Sequence, residues 1–365
     1  MGRTYAMSKY QITLTPIDRF FFGGDMTFQV GKDEKDDFNE RYSSYIIRSL
    51  MYPQQTSLLG MLRFLILRNA GEEVFKDGKI VDKTKAKALI GGKSFSVNSD
   101  HEENDFGMIK SLTHIRIGII HDEGIEYLEF KPLYEKAIEL DNSIVGTYNF
   151  NSVRIPSMED YKAKEPLELC LTDGEKLEKH FVEDRRMGIN RDVTTGKTEK
   201  DALFKQISYR FNIKDGKRYC FVFEAEVEDS IKLEKYSNQS NQMVGVGGDN
   251  SQFIIGISKD FKGHRTIPNT GNTVLALSPM YLKRDEVELA AFAVTRLMPF
   301  RFLESEMEKA KTYHILSKEL KRSKKYELYA PGSVFYFDND TKKAEFIKSI
   351  ESKREFRQIG YNEYQ

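Results

Sequence analysis

Three segments of this 365-residue chain carry residue types that can hold phosphate. The first is Gly245-Val246-Gly247-Gly248-Asp249-Asn250, just ahead of the apolar run Phe253-Ile254-Ile255. Successive glycines let backbone N–H groups converge in a concave nest that attracts phosphate oxygens. A plain hairpin turn has the same pattern, and the turn alone does not separate the two. The second segment is Gln54-Gln55-Thr56-Ser57, ahead of the apolar run Leu58 to Leu67. A helix starting there offers unpaired N–H groups and the positive end of its dipole to an anion, and these amides and hydroxyls suit sugar or base edges. An ordinary capped core helix reads identically. Arg48 and Arg63 are the nearest cations. The third segment, Arg185 to Lys214, holds eight Lys/Arg and three Asp/Glu, a local charge of +5. Arg185, Arg186, Arg191, Lys197 and Lys205 suit phosphates, Asn190 lies among them, and Met187 or Ile189 suits a wedge between bases. A solvated, merely projecting hairpin fits as well.

Catalysis leaves no comparable trace. The six histidines, His101, His114, His121, His180, His264 and His314, form no H-x-x-x-H array, and no nucleophile with an adjacent base is legible. Cys170 and Cys220 lie far apart with no C-x-x-C pair, so the expectation is reduced thiols in a cytoplasmic protein, with no metal and no cofactor. The 56 basic and 56 acidic residues cancel, which excludes coating of nucleic acid by bulk charge and leaves local patches. Met1 to Tyr10 has no apolar run, and Leu58 to Leu67 is too short to span a bilayer and contains Arg63, so neither a signal peptide nor a membrane contact is expected.

The elements that must position these segments follow from periodicity. Tyr10 to Pro16 alternates apolar and polar residues and predicts a strand. Phe20 to Gly24 predicts a sharp turn, and Asp25 to Glu40 a loop. Thr56 or Ser57 is the expected N-cap of a helix that stops at Asn69-Ala70-Gly71. Glu72 to Asp105 reads as a charged insertion. Leu112 to Ile120 and Ile125 to Phe130 predict strands joined at His121-Asp122-Glu123-Gly124. Asp141 to Asp184 reads as irregular. The flanks of Arg185 to Lys214 pair as a hairpin with a tip at Thr195-Gly196-Lys197. Tyr219 to Val227 is a strand, Asp229 to Glu234 a short helix, and the glycine turn with its strand follows. This is β-α-β-β-α-β, a ferredoxin-like order. After Arg265 the pattern restarts at Thr273 to Pro279 and ends in a strand at Ala330 to Phe337. The basic run Lys318 to Lys325, with Arg296 to Arg301, reads as a solvated helix face. The expected class is α+β: two ferredoxin-like (RRM-like) domains, 8–260 with the hairpin thumb at about 185–214 and the glycine-rich loop at 245–250, then a degenerate 261–365. With 39% hydrophobic and 12% aromatic residues, the chain can fill two cores.

Taken together, the segments resemble RAMP-superfamily proteins of CRISPR effector complexes, most closely the type III-B (Cmr) subunit that holds the 5′ handle of the guide RNA. Leu14-Thr15-Pro16-Ile17-Asp18-Arg19-Phe20-Phe21-Phe22 resembles the family's opening segment and adds Arg19 and Phe22 to the candidate contacts. Pro53 to Arg63 resembles its helix start, Arg186 to Phe204 its inserted hairpin, and Gly245 to Asn250 stands where its glycine-rich loop stands. Pro331-Gly332-Ser333-Val334 and Ile359-Gly360-Tyr361 resemble its closing pattern. Asp249-Asn250-Ser251 replaces the basic residues that usually follow the glycine loop, which leaves backbone N–H donation as that loop's role. The resemblance implies a non-catalytic subunit that binds the CRISPR RNA 5′ handle and meets target RNA near the 5′ end of the guide. It also implies two protein partners, a large polymerase/cyclase-like subunit and an adjacent RAMP backbone subunit. Its alternatives are a metal-independent endoribonuclease acting on guide precursors, or the equivalent type III-A (Csm) subunit.

Overall fold

A computed structural model describes residues 6–24, 27–28, 45–136, 138–148, 151–162, 164, 166–191, 194–195, 198–213, 216–237, 242–247, 249–261, 271–306 and 321–365. Most of the expected loop Asp25 to Glu40 lies outside these residues, apart from the short strand Thr27–Phe28.

The predicted opening strand is present as Met7–Pro16. Ser8, Tyr10, Ile12 and Leu14 are buried in alternation with Lys9, Gln11 and Thr13, so a period of two turns one face into the core. This strand is central in a seven-stranded antiparallel sheet. Its order is Met243–Val246, Ser251–Ser258, Met7–Pro16, Arg218–Glu228, Arg116–His121, Gly124–Leu128, with Ile109–Leu112 also paired to Arg218–Glu228. The helix Gln55–Arg68 buries Leu58, Leu59, Leu62, Leu65 and Ile66. It begins earlier than expected: Gln54 is the cap, extended at φ −67° and ψ 145°, and its carbonyl accepts from Ser57 N–H (2.8 Å) and Leu58 N–H (3.2 Å). The Gln55 side chain is drawn inward, which pulls residue 55 into the first turn.

A second sheet of four strands has the order Phe181–Arg191, Thr198–Phe211, Tyr45–Arg48, Thr27–Phe28. Its first pair is the antiparallel hairpin, whose base pairs Phe181 with Phe211, so it starts and ends a few residues earlier than the expected 185–214. Tyr45–Arg48 adds to it in parallel, Ile207 opposite Arg48. The two sheets meet at Phe20. Its ring stacks on Phe22 (4.9 Å) and stands edge-on to Phe221 (5.3 Å), Phe211 (6.0 Å) and Phe181 (6.1 Å). Its backbone exchanges hydrogen bonds with Tyr209 at 2.7 and 3.0 Å.

Four further expectations change. The stretch read as irregular holds a hairpin, Ile138–Tyr148 with Asn151–Met158, built on β-branched and aromatic residues interrupted by polar ones. The helix expected at Asp229 to Glu234 is a single 3-10 turn, Leu233–Tyr236. The charged insertion carries a helix, Lys83–Ile90, capped by Asp82, which accepts Lys85 N–H. Beyond residue 271, Thr273–Leu275, Val334–Tyr336 and Phe292–Val294 form one sheet, and Leu297–Phe300 pairs with Tyr326–Tyr329. Leu303–Glu304 pairs with Lys321–Arg322, a strand where a solvated helix face was expected. The helix Asp340–Ser352 packs Phe346 and Ile350 against Phe335 and Phe337 in a small core. Phe300, Phe302, Phe356, Ile359 and Tyr361 instead join the main core. The class is α+β, with mainly antiparallel sheets and few helices.

Phe20→Ala empties the junction between the two sheets. The expected cost is about 3–5 kcal/mol, read as a lower denaturation midpoint in guanidinium chloride. An unchanged midpoint would show that the sheets hold together without this ring.

Candidate nucleic-acid interface

The helix start is closed from inside. Gln55 is 2% exposed, and its Nε2 donates to the carbonyls of Thr113 (2.8 Å) and Ile359 (2.5 Å). The turn Ile359-Gly360-Tyr361 lies over it. Gly360 has φ 83°, and a Cβ there would collide with Gln55 Nε2 and the backbone of Thr113 and His114. The Tyr361 hydroxyl is raised by burial, offset in part by a hydrogen bond with the Gln55 backbone. Gln55 is therefore a structural bolt and not an open RNA contact. Gln54, Thr56 and Ser57 stay half-buried.

Two more candidates turn inward. Arg63 is 7% exposed, donates from Nη2 to the Lys93 carbonyl (2.8 Å), and lies 4.8 Å over the Phe106 ring. Phe22 is 2% exposed and stacked between Phe20 and Phe253, so its ring has no face left for a base. Sequence missed both because an arginine or phenylalanine in a motif looks alike whether it faces solvent or core. Arg19 pairs with its neighbour Asp18 at 3.5 Å.

The hairpin sheet sorts the remaining candidates onto two faces. Cross-strand partners share a face, and neighbours along a strand alternate. Arg185, Ile207 and Arg48 stand in one row, Glu183 and Tyr209 in the next, and Met187 and Lys205 in the row on the other side. On this face Arg48 Nη1 donates to Glu183 Oε1 (2.9 Å) and Tyr209 Oη (3.3 Å). Arg185 Nη2 lies 2.7 Å from Glu183 Oε2. Met187 is 71% exposed. Hydrogen bonds from Arg185, with the nearby Arg48 charge, hold the Glu183 carboxyl below its ordinary range against desolvation. The opposite face carries Asp184, Arg186 and Gln206. Arg186 Nε donates to Asp184 Oδ1 at 3.1 Å, and Gln206 Nε2 donates to Asp249 Oδ2 at 3.1 Å. The glycine turn thus docks on the Arg186 face, opposite Arg48 and Arg185.

That turn is rigid. Gly247 (φ 80°) and Asn250 (φ 52°) are left-handed, and Asn250 N–H returns to the Gly247 carbonyl at 3.1 Å. A Cβ at Gly245 would collide with Asn250 Oδ1. Ser251 Oγ accepts Phe21 N–H at 2.8 Å, tying the turn to the aromatic junction. Ile189, Asn190 and Arg191 lie on the strand Phe181–Arg191, whose backbone alone is described there. Lys197 and Gly248 lie outside the described residues.

The carboxylates facing these arginines are what sequence reasoning missed. Their signal was present as Glu183/Arg185 and Asp184/Arg186, acid and base two apart on a strand. The described histidines are each paired with one carboxylate: His101–Glu355 (2.6 Å), His114–Glu129 (3.2 Å), His121–Glu126 (3.0 Å) and His180–Asp173 (2.8 Å). Burial raises both thiols, Cys220 to about 12. Two cavities of about 660 and 610 Å³ share Thr84, Lys87 and Asp105 and include none of the candidate contacts. Among the described residues, no group of three His, Cys, Asp or Glu is placed to hold a metal, and no helix is long and apolar enough to cross a membrane.

Comparison with known proteins adds a family. The model of a family described as CRISPR-associated protein (Cas_Cmr3) matches residues 12–364. A search of curated proteins finds no match. A chain of the cryo-EM structure of the type III-B Cmr-beta bound to cognate target RNA is similar at 15% identity and TM-score 0.49, over 97% of this chain and 96% of that one. A chain of the same assembly with target RNA and AMPPnP gives 14% and 0.49 over the same shares. A chain of the Csm3-Csm4 subcomplex of the type III-A CRISPR-Cas interference complex gives 12% and 0.32, over 90% and 92%.

Gln55→Ala should cost about 1–3 kcal/mol of stability, because two buried carbonyls lose their donor. Thr56→Ala should stay within about 0.5 kcal/mol. Chemical denaturation of both variants checks this, and equal small effects would show that Gln55 is not a bolt.

Proposed function

The chain belongs to the family of CRISPR-associated proteins described as Cas_Cmr3, and from that premise we propose that it is a non-catalytic CRISPR RNA-binding subunit of a cytoplasmic type III-B (Cmr) effector. In this reading it anchors the 5′ handle of the guide and joins the RAMP backbone subunits to the large polymerase/cyclase-like subunit in antiviral defence. The central sheet, whose four long strands run fourth, first, third, second along the chain, is read as ferredoxin-like, and residues past 261 as its degenerate counterpart.

One observation carries the reading. Arg48, Arg185 and the exposed Met187 share one face of a hairpin sheet that is fastened at its base by aromatic packing. That combination offers charge for phosphates and an apolar tip for a splayed base. On the opposite face, Arg186 and the glycine turn give a second surface at which the chain of phosphates turns past backbone N–H groups. Target RNA near the 5′ end of the guide would pass the hairpin on the Met187 side.

The test is equilibrium binding of a guide RNA with and without its handle, over a range of salt. Removing the handle should weaken binding. Arg48→Ala and Arg185→Ala should each lower the log-salt slope by roughly 0.7, as expected for one phosphate contact on a single strand. Arg63→Ala should lower stability and leave the slope alone. Handle-independent binding with unchanged slopes would sink the reading. Cleavage of a repeat RNA by the purified protein, lost on changing one histidine, would move it to the endoribonuclease class.

A further inference from the structure

Glu183 is an acidic side chain in the middle of what the preceding section reads as a polyanion site. Its two oxygens are divided between two arginines from different strands. Oε1 accepts from Arg48 Nη1 at 2.9 Å. Oε2 accepts from Arg185 Nε at 2.8 Å and lies 2.7 Å from Arg185 Nη2. Tyr209, 3% exposed, supports Arg48 from below through its hydroxyl. The Arg48 and Arg185 side chains are 41% and 62% exposed, against 27% for Glu183, so the guanidiniums stand outward of the carboxylate that holds them. Each guanidinium carries five N–H donors. Arg48 commits Nη1 and Arg185 commits Nε and Nη2, and among the described residues no further hydrogen bond engages their other N–H groups.

We propose that Glu183 sets the specificity of the RNA interface: it holds Arg48 and Arg185 as one preordered pair and cancels one of their two charges. This rests on the RNA-binding reading above. Without the carboxylate, two like-charged, rotamer-rich side chains would splay, and any phosphate would satisfy either. With it, a phosphate gains most when it bridges both guanidiniums in register. A phosphate placed over the carboxylate meets like-charge repulsion, which penalises misplaced strands more than correctly seated ones. Among the described residues, Asp184 on the opposite face holds one arginine, Arg186 of its own strand, at 3.1 Å and makes no such bridge.

The experiment compares a handle-bearing guide RNA with an unrelated single strand of equal length, by fluorescence anisotropy across a salt series. Glu183→Gln keeps an acceptor and removes the charge. It should tighten the unrelated RNA about fivefold, steepen its log-salt slope by roughly 0.7, and tighten the guide less, so that discrimination falls. Glu183→Asp keeps the charge but shortens the reach. It should weaken the guide with little change of slope, and it keeps the test alive if the glutamine variant does not fold. Two results overturn the inference: an unchanged guide-to-unrelated ratio in Glu183→Gln, or an equal fall in Asp184→Asn, which would make bulk charge the cause. Wild-type protein that binds neither RNA would overturn the RNA-binding reading itself, and this inference with it.

Discussion

The packing of Phe20 between two sheets is the contact on which the rest of the molecule depends. Phe221 and Phe253 belong to the central sheet, Phe181 and Phe211 to the hairpin sheet, and Phe20 touches all four. Aromatic pairs at such offsets contribute beyond the area they bury. Phe20, Phe21 and Phe22 also fix the backbone around them. Phe20 bridges Tyr209, Phe21 N–H reaches Ser251, and Phe22 N–H reaches Ser49 while its carbonyl takes Leu50 N–H. One short segment therefore sets the hairpin base, the glycine turn and the strand that carries Arg48. A long hairpin on a single strand pair would swing. Anchored through five rings, its lower half has a fixed place relative to the turn.

A second closure follows from the first. With the central sheet fixed, the helix Gln55–Arg68 must lie on its apolar face, and its first turn is left pointing at the loop after Leu112. The C-terminal turn fills that gap. Glycine is required at 360 because the carbonyl of Ile359 has to reach Gln55 while the chain passes tight against Thr113 and His114. Among the described residues Gln55 Oε1 has no partner, a desolvation cost accepted for two donor bonds. Phe356, Ile359 and Tyr361 thus belong to the main core, although they follow a smaller core built on Phe335 and Phe346 against which Tyr364 packs.

How far the sequence was legible follows the range of each interaction. Tyr10 to Pro16 could be read because strand alternation is local, and the hairpin because charge and turn residues sit in one stretch. The parallel pairing of Tyr45–Arg48 with Phe204 to Ile207 could not, since nothing in Tyr-Ile-Ile-Arg names its partner. Gln55 and Arg63 were misplaced for a related reason. A polar side chain near a helix start reads as a ligand contact or a cap, and only the distant carbonyls of Ile359 and Lys93 reveal a structural role. The hairpin Ile138–Tyr148 with Asn151–Met158 was hidden by its polar interruptions. The closing Ile359-Gly360-Tyr361 was noticed as a pattern, but its function as a lid on Gln55 lies wholly in three dimensions.

The local charge of +5 in the hairpin segment needs the same correction. Counting from Arg185 omits Glu183 and Asp184, the two residues just before it, and these hold Arg185 and Arg186. Among the described residues, Arg185 and Arg186 are therefore already paired and partly ordered. Exposed pairs of this kind are worth little, about 0–1 kcal/mol each, so they order the arginines without adding much to the stability of the fold. For the same reason the attraction they exert at a distance is weak, and salt screens it further. On the RNA-binding function proposed above, this arrangement in a protein of zero net charge would favour a strand that fits the fixed positions of the arginines over one that is merely negative. Selectivity would then come from how the hairpin sheet is held, and through Phe20 that returns to the packing of the two sheets.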